Sequence, residues 1–145
     1  RAWMDDYIRE NGVPVKPGLR ELLAWLKQAH ILCAVATSTF TNVAIGYLKN
    51  AGVLNCFAAI VGGDQVTKSK PDPEIFQLAM RALGKQTPET CVVFEDSRNG
   101  LLAGANGGFP VIVVPDLFDP TLELPGLCYA KCARLDEAID VIQNS

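Results

Sequence analysis

The chain has 145 residues, of which 49% are hydrophobic and 20% are charged, and its formal net charge is −3. This composition excludes a disordered chain and a pure coiled coil, and the length is enough to bury the core of one domain. Thirteen basic residues against sixteen acidic ones leave no positive excess for contacts with a phosphate backbone, so nucleic acid is not an expected partner.

The five cysteines are odd in number, and three of them lie in or beside apolar runs. We interpret them as free thiols of a reducing, intracellular compartment. Cys128 and Cys132 could form half of a metal site, but the chain has a single histidine, so ordinary thiols are favoured. No apolar run approaches the roughly 18 residues that span a bilayer, and no signal peptide is evident at the start. A cytoplasmic protein without a membrane partner is therefore expected.

Short β-branched runs alternate with longer amphipathic segments, and Gly, Pro, Asn and Asp stand between them. The alternation predicts an α/β fold, with a mostly parallel sheet flanked by helices on both faces. In chain order we predict a helix over 3–10, a linker over 13–17, a helix from 17, a strand over 31–36, a helix over 40–50, a strand over 58–61, a helix over 73–83, a strand over 91–94, a helix from 97 to about 107, a strand over 111–114, a loop-rich segment and a last helix over 135–143.

Turn and capping residues fix several of these boundaries. Gly52 and Gly84 follow two predicted helices and are expected to end them. Asp72 is a candidate N-cap with Pro73 at the first helical position, and Ser97 is a candidate cap for the helix after the third predicted strand.

Ligands of parallel α/β sheets bind outside the carboxyl ends of the strands. Polar groups stand there in two places: the hydroxyls of Thr37 and Ser38, and the adjacent acids Glu95 and Asp96. Two neighbouring carboxylates at the end of a buried strand repel each other and lose solvation, so a cation is expected nearby. Oxygen ligands of this kind suit Mg²⁺. The alternative is that Asp96 or Ser97 merely caps the following helix.

Lys70 lies just before another predicted helix, where it either holds a phosphate or is a solvated surface lysine. Thr37 likewise either donates to a phosphate or only begins a turn. A hydroxyl, a lysine and paired acids, each at a strand-to-helix junction, together indicate a phosphate site with its metal ion.

Three stretches resemble the second, third and fourth motifs of the haloacid dehalogenase-like (HAD) hydrolases. They are residues 34–39 (AVATST), 69–76 (SKPDPEIF) and 92–100 (VVFEDSRNG), and they are most similar to the β-phosphoglucomutase and phosphoglycolate phosphatase branch. Lys16-Pro17-Gly18 before a Leu-rich helix resembles the return of that branch from its helical cap to its core. The resemblance covers about residues 3–115. It implies a HAD-like Rossmannoid core over 15–145, with residues 1–14 as the end of an α-helical cap.

The resemblance also implies roles for individual residues. Thr37 would hydrogen-bond the transferring phosphoryl group, helped by the backbone N–H of Ser38. Lys70 would neutralise the charge of that group and of the nucleophile. Asp96 would be a direct Mg²⁺ ligand, and Glu95 would ligate the ion or orient its shell. These are the positioning and electrostatic tasks of phosphoryl transfer.

One family feature is absent from the chain. Members of the family use an aspartate at the end of an N-terminal strand as nucleophile, in an Asp-x-Asp-x-Thr or Asp-x-Asp-x-Val pattern. Asp5-Asp6 lies in a helical, polar context, and the spacing from Asp116 to Asp119 is wrong. The family places that strand between the strands ending at Thr37 and Glu95. An N-terminal segment of the same protein is therefore expected to complete the sheet.

The resemblance predicts a Mg²⁺-dependent phosphohydrolase or phosphomutase that acts on a small phosphorylated metabolite through an aspartyl-phosphate intermediate. Its nucleophile would lie outside this chain, so the 145 residues alone are expected to be inactive. The alternative is a non-catalytic HAD-like binding or regulatory module, for which Asn or Ser would stand at the nucleophile position. A response-regulator receiver domain also combines acids, a Thr and a Lys, but its lysine follows a later strand than its acids, whereas Lys70 precedes Glu95.

Overall fold

The computed structural model describes residues 16–115 and 119–145; the helix expected over 3–10, the cap segment 1–14 and Asp116 lie outside these ranges. None of the described helices is long and apolar enough to cross a membrane. The regular elements are α1 (Leu19–Gln28), β1 (Ala34–Ala36), α2 (Thr41–Asn50), β2 (Ala59–Val61), α3 (Glu74–Ala82), β3 (Val93–Glu95), α4 (Arg98–Asn106), β4 (Val111–Val113), β5 (Ala130–Lys131) and α5 (Ala138–Gln143). Short 3₁₀ helices cover Leu54–Cys56, Gly63–Gln65, Pro88–Thr90, Pro120–Leu122 and Leu135–Glu137.

The described strands are parallel and form two sheets. β1 pairs with β2, with Ala34 opposite Ala59, and β4 lies between β3 and β5. Within the described ranges no backbone ladder joins β1 to β3. The predicted α/β class, with parallel strands flanked by helices, is confirmed.

Strand β4 separates two apolar cores. Its residues Val111, Ile112 and Val113 are all fully buried. Successive side chains of a strand point to opposite faces. Ile112 accordingly packs with the leucines of α1 and with α5, whereas Val111 and Val113 pack with α3 and α4. The continuous apolar run of β4 therefore reflects burial on both faces, as parallel sheets require.

The predicted helix boundaries hold closely. Gly52 and Gly84 adopt positive φ values of 74° and 77° just beyond α2 and α3. The Asp72 carboxylate accepts a hydrogen bond from the Glu74 N–H at 3.0 Å, but α3 begins only at Glu74. The N-cap residue is therefore Pro73 and not Asp72, one residue later than predicted. Ser97 Oγ accepts from the Gly100 N–H at 3.0 Å, which confirms the predicted cap of α4.

Three predicted elements differ from the structure. The strand expected over 31–36 is only Ala34–Ala36, because the Ile31 N–H still bonds to Leu26 at the end of α1, and Ile31 is exposed. β3 is shifted by one to two residues and includes Glu95. The last helix begins as a 3₁₀ turn and becomes α-helical only at Ala138. β5 was not predicted, since two residues carry no periodicity.

Candidate active site

Thr37 directly follows β1 and is 3% exposed. Its N–H donates to the carbonyl of Val61 at 3.0 Å, so Thr37 lies beside the end of β2. Its Oγ1 accepts from the Thr39 N–H at 3.1 Å. The hydroxyl therefore does begin a turn, and it donates no hydrogen bond to another described residue. The next residue, Ser38, is exposed.

The loop after β2 packs tightly on this turn. A Cβ at Gly63 would overlap the carbonyl of Ser38, and the Gly63 N–H donates to the Thr39 carbonyl at 2.9 Å. The Asp64 carboxylate then accepts from the N–H and the hydroxyl of Thr41, at 2.7 and 2.8 Å. These bonds, the backbone one first, hold the pKa of Asp64 below its ordinary value. The first turn of α2 is thereby fixed against the loop after β2.

Lys70 and Glu95 form a buried ion pair. The Lys70 Nζ lies 2.6 Å from Glu95 Oε2, and the two side chains are 9% and 0% exposed. The same ammonium lies 4.9 Å from the ring centroid of Phe76 in α3. The alternative of a solvated surface lysine is therefore wrong. Lys70 follows β2 and Glu95 ends β3, so the pair connects the two sheets.

The Glu95 carboxylate is held from several sides. Its Oε1 accepts from the Asp96 N–H at 3.2 Å and from the Ser97 hydroxyl at 3.1 Å. A Cβ at Gly100 would overlap this carboxylate. Glycine in the first turn of α4 is thus what allows a glutamate to fold back under the helix.

Asp96 lies beside a second buried lysine. The Lys16 Nζ is 3.9 Å from Asp96 Oδ2, with both side chains about a tenth exposed, and it donates to the carbonyl of Val114 at 3.0 Å. The sequence analysis placed Lys16 in a linker, at the expected return from the cap to the core, and did not identify it as a site residue. Its sequence surroundings do not distinguish Lys16 from an ordinary linker lysine, because its two partners in the structure lie eighty or more residues later in the chain.

The donor set fits part of a magnesium site. Asp96 and Glu95 are hard oxygen donors at the carboxyl end of one strand, and Mg²⁺ characteristically takes one or two carboxylates along with waters and substrate phosphate oxygens. Within the described residues no group of three or more His, Cys, Asp or Glu side chains could hold a metal ion. Cys128 and Cys132 are free thiols.

The structure therefore brings together only some of the predicted site residues. Lys70, Glu95 and Asp96 form one connected group. Thr37 and Ser38 stand at the end of β1, and no hydrogen bond or ion pair between described residues joins them to Lys70. The loop after β2 lies between the two groups, since its Gly63 donates to the Thr39 carbonyl and the same loop carries Lys70.

Comparison with known proteins assigns the family. The profile of the haloacid dehalogenase-like hydrolases matches residues 3–108. The phosphorylated carbohydrates phosphatase of Thermotoga maritima is 42% identical over 103 residues, which are 71% of this chain and 45% of that protein. The chain spans about half the length, or less, of these curated relatives: it covers 45%, 27% and 53% of three of them.

Two solved structures have the same fold. A putative beta-phosphoglucomutase from Thermotoga maritima matches with a TM-score of 0.78 and 35% identity, covering 88% of this chain and 59% of that one. CbbY from Rhodobacter sphaeroides, solved with phosphate, matches with a TM-score of 0.79 and 32% identity, covering 92% and 60%. From its sequence and its fold, the chain belongs to the haloacid dehalogenase-like hydrolase family.

Proposed function

We propose that this chain supplies the phosphate-neutralising and Mg²⁺-binding residues of a phosphatase or phosphomutase for a small phosphorylated metabolite, with a phosphorylated sugar as the favoured class. The observation that carries the proposal is the buried Lys70–Glu95 pair next to Asp96 at the carboxyl end of β3. Burying this much charge is costly and is seldom retained for stability alone. The names of the relatives, a phosphorylated carbohydrates phosphatase and a putative beta-phosphoglucomutase, support the substrate class.

Each residue has a role in this proposal. The hydroxyl of Thr37 and the N–H of Ser38 bind the oxygens of the transferring phosphoryl group. Lys70 neutralises the negative charge that those oxygens bring, and Glu95 keeps its ammonium oriented. Asp96 holds Mg²⁺, which when bound supplies further positive charge to the phosphoryl oxygens.

The nucleophile in this proposal is an aspartate on a segment outside the 145 residues. Its carboxylate attacks phosphorus, the ester P–O bond breaks, and the leaving oxygen takes up a proton. Water then cleaves the aspartyl phosphate, or in a mutase a second hydroxyl of the substrate accepts the phosphoryl group. The partial span of the relatives supports an additional segment, since this chain covers 45% of the phosphorylated carbohydrates phosphatase that it matches.

The test is hydrolysis of p-nitrophenyl phosphate with Mg²⁺, by the 145-residue chain and by a protein that also includes the sequence upstream of it. We expect turnover from the longer protein and none from the chain alone. Asp96→Asn should lower turnover of the longer protein by at least about a hundredfold. Asp140→Asn is the matched control, because Asp140 is an exposed aspartate of α5.

Turnover by the isolated chain would refute the external nucleophile. Full activity of the Asp96→Asn variant would refute the metal role of Asp96. A longer protein with Asn or Ser at the nucleophile position and no turnover would instead indicate the non-catalytic module.

A further inference from the structure

We infer that Glu74 is a positioning residue for Lys70: it holds the start of the loop that carries the lysine toward Glu95. The consequence for phosphoryl transfer rests on the proposed function. The hold of Glu74 on the loop does not depend on the proposed function, because all of its contacts are within this chain.

Glu74 opens α3, but its side chain turns back to the loop before the helix. Its Oε1 accepts from the Lys68 N–H at 2.9 Å and from the Thr67 hydroxyl at 3.0 Å. The Thr67 N–H lies 3.2 Å from each carboxylate oxygen. One carboxylate therefore binds two consecutive backbone N–H groups and a hydroxyl, two residues before Lys70.

The other side of the loop is fixed separately. The Asp72 N–H donates to the Ser69 carbonyl at 3.0 Å, and Asn106 Nδ2 donates to the Pro71 carbonyl at 3.2 Å. Lys70 thus lies between two anchored points. The geometry of its ammonium against Glu95 depends on both anchors, because a long side chain with four rotatable bonds does not fix its own backbone.

A charged carboxylate is the group that this position needs. All of its partners are donors, and a glutamine would point its own NH₂ donors at some of them. The N–H of Lys68, then that of Thr67, lowers the pKa of Glu74 from its ordinary value, in agreement with a carboxylate that stays ionised. The ammonium of Lys68 acts in the same direction.

Trypsin and amine acylation report on the loop without any need for activity. Trypsin cuts after Lys68, which is exposed, but not between Lys70 and Pro71. In the 145-residue chain we expect Glu74→Ala to raise the cleavage rate after Lys68 about tenfold, and Glu74→Gln to raise it less. Acylation of the buried Lys70 by an N-hydroxysuccinimide ester, read by mass spectrometry, should rise in the same order.

Two internal comparisons separate a local effect from a loss of stability. Cleavage after Arg81, at the end of α3, measures opening of the helix, and its rate should not change. Glu89→Ala removes an exposed glutamate from the neighbouring 3₁₀ helix and should leave both readouts at their original values. Unchanged cleavage after Lys68 in Glu74→Ala, or an equal rise at Lys68 and Arg81, would overturn the inference.

In a catalytically active protein that contains this chain, Glu74→Ala should lower kcat for p-nitrophenyl phosphate about tenfold. Glu74→Asp should restore part of that loss. If cleavage after Lys68 rises in Glu74→Ala but the intact protein never hydrolyses phosphate esters, the hold of Glu74 on the loop is supported and the proposed function is refuted. If the loop opens and kcat is unchanged in an active enzyme, the positioning role is refuted.

Discussion

β1 and β4 are both three-residue apolar strands, yet the structure covers them very differently. β4 has a paired neighbour on each edge and every residue fully buried. β1 has one paired neighbour, β2, among the described residues, and its side chains are only half-buried. The acids at the end of β3 therefore lie beside a fully buried strand, whereas the hydroxyls at the end of β1 follow a half-buried strand that pairs with β2.

The Lys70–Glu95 pair connects these two regions, so breaking it is the strongest test of the comparison. Lys70→Met should lower the free energy of unfolding of the chain by about 3–5 kcal/mol, because it leaves the Glu95 carboxylate buried without its cation. Urea denaturation measures the loss. Lys85→Met, at an exposed lysine, should change the stability by less than about 0.5 kcal/mol. Equal effects of the two variants would show that the pair does not connect the sheets energetically.

Two glycines test how closely α4 is fitted to the acids. Gly100→Ala places a methyl group against the Glu95 carboxylate and should cost about 1–3 kcal/mol. Gly46→Ala is the matched control within α2, where nothing lies near the added methyl group, and it should stabilise the chain by about 0.5 kcal/mol. Thermal unfolding of both variants gives the sign and size of each change. An unchanged stability of Gly100→Ala would show that the Glu95 side chain can move away from the added methyl group.

On the β1–β2 side, Asp64 gives a pH-dependent test. The pKa of Asp64 is lowered in the folded chain, so its stabilising effect is present above the ordinary value of 3.8 and is lost as the pH falls through the folded value. Asp64→Asn should therefore be less stable than the original chain at pH 7, and the difference should vanish in strong acid. Asp140→Asn, at an exposed aspartate of α5, is the control and should change the stability at pH 7 by less than about 0.5 kcal/mol. A stability gap for Asp64→Asn that is constant with pH would contradict the assigned role.

The smallest expected effect concerns thiol accessibility. Burial, with the nearby Cys56 thiol, raises the pKa of Cys33 to about 11, and burial also raises the pKa of Cys132. We expect 5,5′-dithiobis(2-nitrobenzoate) at pH 8 to modify the exposed Cys56 first, then the partly buried Cys33, and last Cys132 beside β5. Cys56→Ser should remove the fastest phase. Modification of Cys132 before Cys33 would contradict this order and show that the thiol beside β5 is the more accessible of the two.

The Cys33 shift also has a consequence for stability. The unfolded thiol releases its proton near pH 9, whereas the folded one retains it until about pH 11. The contribution of Cys33 to stability should therefore fall as the pH rises through that interval. Stability curves of the original chain and of Cys33→Ser should converge or cross at alkaline pH.

Local sequence patterns were enough to predict the order and type of nearly every α-helix and strand that the structure describes. The leucine stripe of α1, the apolar run of β4 and the glycines after α2 and α3 are all signals that burial or turn geometry impose within a few residues. β5 was missed because its two residues are defined only by pairing with β4. Ile31 looked like part of a strand because an apolar run does not show where its ladder partner begins.

The candidate site was less accessible to prediction for a similar reason. The positions of Thr37, Lys70 and Asp96 at strand-to-helix junctions could be predicted from their surroundings in the sequence. The partner of Lys70 lies 25 residues away, and the carbonyl bound by Lys16 lies 98 residues away. Such contacts depend on tertiary packing, and no short window of sequence contains both members.

The contact between Glu95 and Gly100 has a consequence for variation of this protein. The Glu95 side chain fits only where the first turn of α4 has no side chain in its way. We therefore expect positions 95 and 100 to vary together. We expect Glu95→Asp, which shortens the acid by one methylene, to reduce the cost of Gly100→Ala. An engineer who transplants the acidic segment to another scaffold must therefore transfer the glycine with it.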